Sequence, residues 1–348
     1  VLLARILAAL AGAAIIVATL DATLRTFVVP RGLAVPFARV VFVVVRRTFA
    51  LILRVRRVTD HAGRDRVLAF GAPIAVLALP AAWLFSSLVG FALLLGGIGG
   101  LAPRDAIILS GSSLLTLGFA LPHGLLLSLV AFAEAAIGVG LLAVVITYLP
   151  AINAAFSRRE LVVASLDARA QNPPSALALI LRHHQFAGLD RLDENWRVWE
   201  TWIVDVGDSH MTHAMLPFFR SSTPAHSWVT ALGCLLDASN LRVSAIRHPG
   251  GGNTDAYMFH LAASAVIRRI AAFFGIVLDL EDGVAASVTP GELDEALAAM
   301  AAAGVPMVED LDLARERFFA RRAQYDRALL GLCRAVEAPP APWSSDRA

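Results

Sequence analysis

Charge is in short supply along this chain: Asp, Glu, Lys and Arg make up 17% of its 348 residues against 57% hydrophobic, and the mean hydropathy is +0.66. A water-soluble fold of this length has too few polar side chains to cover so much apolar surface, so a membrane class is expected and a wholly soluble one excluded. Cysteine is nearly absent. Cys234 and Cys333 match no paired-thiolate spacing, which excludes a disulfide framework and leaves reduced, cytosolic thiols. The net charge is only +2 and the arginines bunch near apolar runs, which speaks against nucleic-acid binding. No Ser, Cys or His constellation suggests nucleophilic catalysis, so neither an enzyme nor a resident cofactor is expected. Gly250-Gly251-Gly252 lacks the spacing of a dinucleotide fingerprint and reads as a loop.

What is present is apolar length. The first run, Val1 to about Leu24, carries only Arg5 and Asp21 as charges and is long enough to cross a bilayer, which takes about 20 helical residues. It has no basic leader and does not begin with Met, so a transmembrane helix is preferred to a signal peptide. Pro30, Gly32 and Pro36 then break the chain. Arg39, Arg46, Arg47, Arg54 and Arg57 follow within an apolar run and share one helical face. An arginine-rich voltage sensor needs a basic residue at every third position and acidic partner helices, so an interfacial helix on an anionic leaflet is the preferred reading.

A nearly uncharged run from Val67 to about Ile98 would extend about 48 Å as a helix, with tilt or a kink at Pro80 absorbing the excess. A short apolar piece from Ala102 to Leu115 cannot span, and a second long helix follows from about Leu125 to Phe156. Arg25, Arg31, the interfacial arginines, Arg64 and Arg66 lie between the first two spans, and Arg158 and Arg159 follow the last. By the positive-inside rule both stretches are cytoplasmic. The short piece then re-enters from the outer face, its N-terminus marked by Pro103 and Asp105 and its C-terminal end turned towards the membrane interior.

Ser112-Ser113-Leu114-Leu115-Thr116-Leu117-Gly118-Phe119-Ala120 ends that short helix. From about Val67 to Glu160 the order and spacing resemble the two-helix pore module of potassium channels, with Thr116 to Ala120 standing where that family has TVGYG. The resemblance implies that the carbonyls of Thr116, Leu117, Gly118 and Phe119 replace an ion's hydration shell and that the Thr116 hydroxyl forms the innermost site. Ser113 matches a hydroxyl position before the filter. Glu134, Gly138 and Gly140 resemble the acidic residue and glycine hinge of the inner helix, and Phe156-Ser-Arg158-Arg159-Glu160 its exit. Three positions depart from the family: Ala120 replaces the second glycine, Phe119 the tyrosine and Leu121 an aspartate at the outer mouth.

Other readings stand beside these. Thr-Leu-Gly-Phe also reads as a chance tetrapeptide in a loop between ordinary spanning helices. Glu134 suits a structural tie behind the filter as well as ion contact, Gly138 and Gly140 suit close packing as well as a hinge, and Pro150 a gate bend as well as a plain kink. In the polar half, Gln171-Asn172-Pro173-Pro174-Ser175 reads as a linker or helix start. Leu192, Trp196, Trp199, Ile203 and Val206 recur at helical spacing, as do runs near Trp228–Leu236, Tyr257–Phe274 and Leu313–Val336. Leu241 to Ile246 is the one strand-like stretch. Asp205, Asp208, His210 and His213 have donor types for a metal but no recognised spacing, so solvated or capping roles are the default; the adjacent His183 and His184 weigh less.

The expected architecture is all-α: an outer transmembrane helix (1–30), an interfacial amphipathic helix (36–60), a pore module (66–160), a cytosolic helical domain (161–336) that assembles or regulates the pore, and a disordered tail (337–348). One pore loop cannot surround an ion, so a homotetramer in the plasma membrane is expected, passing potassium or other monovalent cations. A weakly selective monovalent cation pore and a non-conducting scaffold or sensor are the alternatives.

Overall fold

The computed structural model describes residues 1–27, 36–58, 60–248, 253–276 and 287–347. The expected break at Pro30 and Gly32, with Arg31, and the loop Gly250-Gly251-Gly252 lie outside them. Among the described residues the chain is all-α, apart from an isolated bridge between Ile246 and Met307. It divides into two compact units, Val1–Val58 with Val67–Asn153, and Thr59–Arg66 with Ala154–Ala348. Three segments are long and apolar enough to cross a membrane, Leu2–Thr26, Ala62–Gly99 and Leu125–Ala170, which marks a membrane protein.

The first unit contains α1 (Leu2–Phe27), α2 (Pro36–Val55), α4 (Gly71–Gly99), α5 (Pro103–Leu114) and the first part of α6 (Leu125–Ala170), while α3 (His61–Leu68) joins α2 to α4. Small residues let α1 and α4 approach closely: a methyl group on Gly12 would come within 2.5 Å of the Gly90 carbonyl, and one on Gly97 within 2.8 Å of Ala9 Cβ. Arg5 donates to the carbonyls of Gly97 and Ile98, both at 3.2 Å, so one cation satisfies exposed acceptors in the last turn of α4. Helix α6 runs through Pro150 and past Phe156 without ending. The reason lies further on, where Val163, Leu166 and Ala170 recur at helical spacing and are buried in the core of the second unit.

That unit adds α7 (Ala176–Phe186), α8 (Leu189–Thr212), α9 (Trp228–Ser244), α10 (Thr254–Phe273), α11 (Pro290–Ala302), α12 (Leu311–Arg322) and α13 (Asp326–Val336). Ser175 caps α7, so the Pro173-Pro174 stretch is a turn that ends in a helix start. Leu192, Trp196, Trp199, Ile203 and Val206 form the buried stripe of α8, as their spacing predicts. The strand-like stretch is corrected: Leu241–Ser244 is the last turn of α9, and only Ile246 makes a bridge. Every residue of α9 from Trp228 to Arg242 is buried, so its apolar run carries no face signal and periodicity cannot separate it from a strand.

The tail is also corrected. Ala341 and Ser344 are buried, the Trp343 carbonyl accepts from Arg322 at 2.5 Å, and Arg347 pairs with Glu292. The hydrogen bond from Arg347, with others from Thr289, holds the Glu292 carboxyl down at about 2. Proline and polar content suggest disorder only while no partner is known, and here Arg322 and Glu292 supply partners. Arg322, fully buried, lies between Asp237 and Asp326, with Tyr325 donating to Asp237 at 2.6 Å.

Candidate functional site

Helix α5 spans 12 residues, too few to cross a bilayer. Pro103 stands in its first turn with Asp105 beside it, where a missing amide costs nothing and a carboxylate meets the positive helix end. Ala106, Leu109 and Leu114 are buried, and Leu109 packs with Leu95 of α4 and Leu127 of α6. Ser110 lies in this apolar setting because it has polar partners. Its hydroxyl is 2.5 Å from Glu134 Oε1 and 3.0 Å from the Leu88 carbonyl, and Glu134 is fully buried. A buried acid in an apolar helix needs such a partner, and Ser110 ties α5 to α6 and α4 at one point.

The chain then folds back at the C-terminal end of α5. Leu117 N–H donates to the Ser112 carbonyl at 2.8 Å and Thr116 N–H to the Ser113 carbonyl at 3.0 Å, the paired bonds of a Schellman cap. Thr116 occupies the left-handed position of that cap at φ +53°, where a side chain costs about 1–2 kcal/mol over glycine. Gly118 is also left-handed, at φ +74°, and a methyl group there would meet nothing within 4 Å in the same chain. Ala120 N–H donates to Ser112 Oγ at 3.0 Å, closing the turn. Thr116, Leu117, Gly118 and Phe119 are exposed, and their carbonyls accept no hydrogen bond from the described residues. Carbonyls without a partner among the described residues are left to solvent or another polar partner.

Of the residues singled out from sequence, Ser113, Thr116–Ala120, Glu134 and Gly138 come together here. Gly138 is buried against the end of α5, where a methyl group would fall 2.0 Å from the Leu114 carbonyl oxygen. Gly140 and Pro150 do not join them: both are exposed, and a methyl group on Gly140 meets nothing within 4 Å. Ser113 contributes its carbonyl, whereas the hydroxyls that hold the turn and the acid belong to Ser112 and Ser110. Neither was singled out from sequence as a support. The need of Glu134 for a partner, set against the run Ser110-Gly111-Ser112-Ser113, was the available signal.

In the second unit the polar cluster disperses. Asp205 pairs with Arg158 at 3.1 Å, while His210 is fully buried edge-on to Trp228 at 4.6 Å, its imidazole pushed well below its ordinary value by burial and by Arg159. His183 is bound to the Leu179 carbonyl at 2.8 Å. Among the described residues no group of three or more His, Cys, Asp or Glu is arranged to hold a metal. Compared with protein-family models, curated proteins and solved structures, the chain finds no match.

Proposed function

We propose that this chain is one subunit of a homotetrameric cation channel of the plasma membrane, most suited to potassium, with its C-terminal helical domain in the cytoplasm. The observation that carries the reading is the row of carbonyls from Thr116 to Phe119. They accept no hydrogen bond from the described residues and follow a helix too short to span. Non-helical backbone within a membrane persists only where it is buried in protein or lines water, and a row of carbonyls lining water binds cations. Four copies about one axis supply the ring of ligands that a single chain lacks. Ser110, Ser112 and Glu134 are positioning residues in this reading, since they hold the short helix and its turn. Permeation is passive, with the cytoplasmic domain biasing open against closed states.

One observation supports the second reading, a weakly selective monovalent cation pore. The amides of Thr116 and Leu117 are tied into the helix cap, so the first ligands of the row follow the cap's geometry rather than that of an extended filter. The test is a planar bilayer containing the purified protein, with potassium on one side and sodium on the other. A reversal potential near the potassium equilibrium value, with current abolished in Gly118→Val, is the expected result. A reversal near zero assigns the weakly selective pore. Absence of current across voltage, pH and calcium, together with a monomeric or dimeric state, rejects the channel in favour of a scaffold.

A further inference from the structure

Helix α2 divides its circumference three ways. Phe49 and Leu53 are buried, and Phe37, Ala38 and Val41 pack against the cluster of Leu79, Trp83 and Leu141, with Phe37 stacked on Trp83 at 6.4 Å. At about 100° per residue, Arg39, Arg46, Arg47 and Arg54 share an adjoining arc of roughly 100°. All four are exposed. Beyond them Val40, Val44, Leu51 and Val55 form an exposed apolar strip.

Among the described residues the arginines of α2 meet no counter-charge. Helix α2 contains no acidic residue, and among the described residues none of its arginines makes an ion pair. The acids nearest in sequence are engaged elsewhere: Asp21 with Arg25 at 2.8 Å, Asp60 with the Gly63 amide at 2.8 Å, and Asp65 with Arg220 at 2.9 Å. Arg56 and Arg57, just past the helix, are exposed as well. Every one of the chain's 30 basic residues is arginine, whose planar fork pairs with phosphate oxygens two at a time. In sequence the helix lies between two candidate spans, Leu2–Thr26 and Ala62–Gly99, so both its ends lead into segments that can cross a bilayer.

We propose that this face of α2 is a docking site for the phosphate groups of anionic phospholipids, with Val40, Val44, Leu51 and Val55 entering the acyl boundary beside them. Unpaired cations next to exposed aliphatic side chains match a headgroup layer over hydrocarbon. A soluble acidic partner accounts for the arginines but leaves the aliphatic strip uncovered. The site holds whether or not the chain conducts ions.

The test uses full-length protein reconstituted in phosphatidylcholine vesicles, with the motionally restricted fraction of spin-labelled phosphatidylglycerol compared with that of spin-labelled phosphatidylcholine. A single surface arginine weighs about fivefold in such an equilibrium, so a preference of at least that size for phosphatidylglycerol is expected. It should weaken in R39Q, R46Q, R47Q and R54Q taken singly, vanish in the quadruple glutamine variant and survive in the quadruple lysine variant. Salt at about 0.5 M should reduce it for the wild type. All four positions are exposed, and the single variants each lose one charge, so folding does not confound the comparison. Equal association of the two lipids with the wild type overturns the proposal. So does a preference that persists in the quadruple glutamine variant, or arginine losses that change only the oligomeric state, which would make the face a contact between copies.

Discussion

Replacing Gly138 and Gly140 by alanine, one at a time, separates packing from flexibility in α6. Both residues lie in one helix, so each substitution gains about the same 1 kcal/mol of helix propensity. They differ in what the new methyl group meets. At Gly138 it falls 2.0 Å from the Leu114 carbonyl oxygen and 3.3 Å from Leu114 Cδ1, whereas at Gly140 it meets nothing within 4 Å. A relaxed C–H···O approach needs about 3.3 Å, so the end of α5 must retreat by more than about 1 Å. The obstructing atom is backbone, and no rotamer change relieves it. Overpacking of this kind costs about 1–3 kcal/mol, and the shared propensity gain cancels when the two variants are compared.

The assay is the fraction of full-length protein that stays in the monodisperse chromatographic peak after heating in mild detergent. Gly138→Ala should lose this fraction at distinctly lower temperature than Gly140→Ala, which should match the wild type or exceed it. If the chain conducts ions as proposed, Gly138→Ala should also lose current, because the Leu114 carbonyl and the Thr116 cap move together. Equal destabilisation by the two alanines would refute the reasoning, since a neighbouring copy would then have to cover Gly140. Normal stability with altered opening in Gly140→Ala alone would restore the hinge reading for that residue.

Ser110→Ala should destabilise the first unit by about 1–3 kcal/mol, because Glu134 is left without its partner in a buried setting; Glu134→Gln should be milder, since the carboxamide can donate to Ser110 Oγ while the hydroxyl serves the Leu88 carbonyl, and the same heating assay ranks them. Arg322→Leu leaves Asp237 and Asp326 buried without their cation and should cost about 3–5 kcal/mol, read as a lower midpoint in tryptophan fluorescence, to which Trp196, Trp199, Trp202, Trp228 and Trp343 of this unit contribute. Burial and Arg321 hold the His260 imidazole down at about 4. The unfolded chain therefore binds more protons between about pH 6.5 and 4, and stability present above pH 6.5 should fall by about 3 kcal/mol across that window. His260→Leu should flatten this slope, and an unchanged slope would reject the assignment. Deleting Pro339–Ala348 removes the Trp343 carbonyl from Arg322 and Arg347 from Glu292 and should lower the same fluorescence midpoint, whereas a disordered tail predicts no change.

Legibility in the sequence followed the physical strength of each signal. The spans were readable because about 20 apolar residues have few alternatives to crossing or burial. The start of α5 was readable because proline and aspartate at a helix N-terminus act through neighbouring backbone alone. The stripe of α8 was readable for the same local reason: Leu192, Trp196, Trp199, Ile203 and Val206 lie three or four residues apart, and helical geometry puts them on one face. Where a residue's role depends on distant partners, no local pattern carried it. Helix α9 is buried all round, so Leu241–Ile246 had no polar face to reveal its period. The tail looked disordered because Arg322 and Glu292, which hold it, lie far back in the chain.

The candidate site shows the same division within nine residues. Thr116 to Ala120 stood out as a spacing, yet the groups that shape the turn are the Ser112 hydroxyl and carbonyl, which reach Ala120 and Leu117 across a fold in the backbone. Ser113 was singled out because a hydroxyl just before the turn suits that role, and helical rotation decides instead which serine faces inward. Ser112 is buried and Ser113 is not. Ser110, two positions earlier, meets Glu134 from another helix, and a sequence can announce only that such an acid needs a partner, not which hydroxyl provides it. Ser112→Ala therefore bears more directly on the turn than Ser113→Ala: it frees the Ala120 amide while leaving both bonds of the Schellman cap in place. If the carbonyl row conducts ions, this loss should alter selectivity without abolishing current, and Ser113→Ala should alter neither.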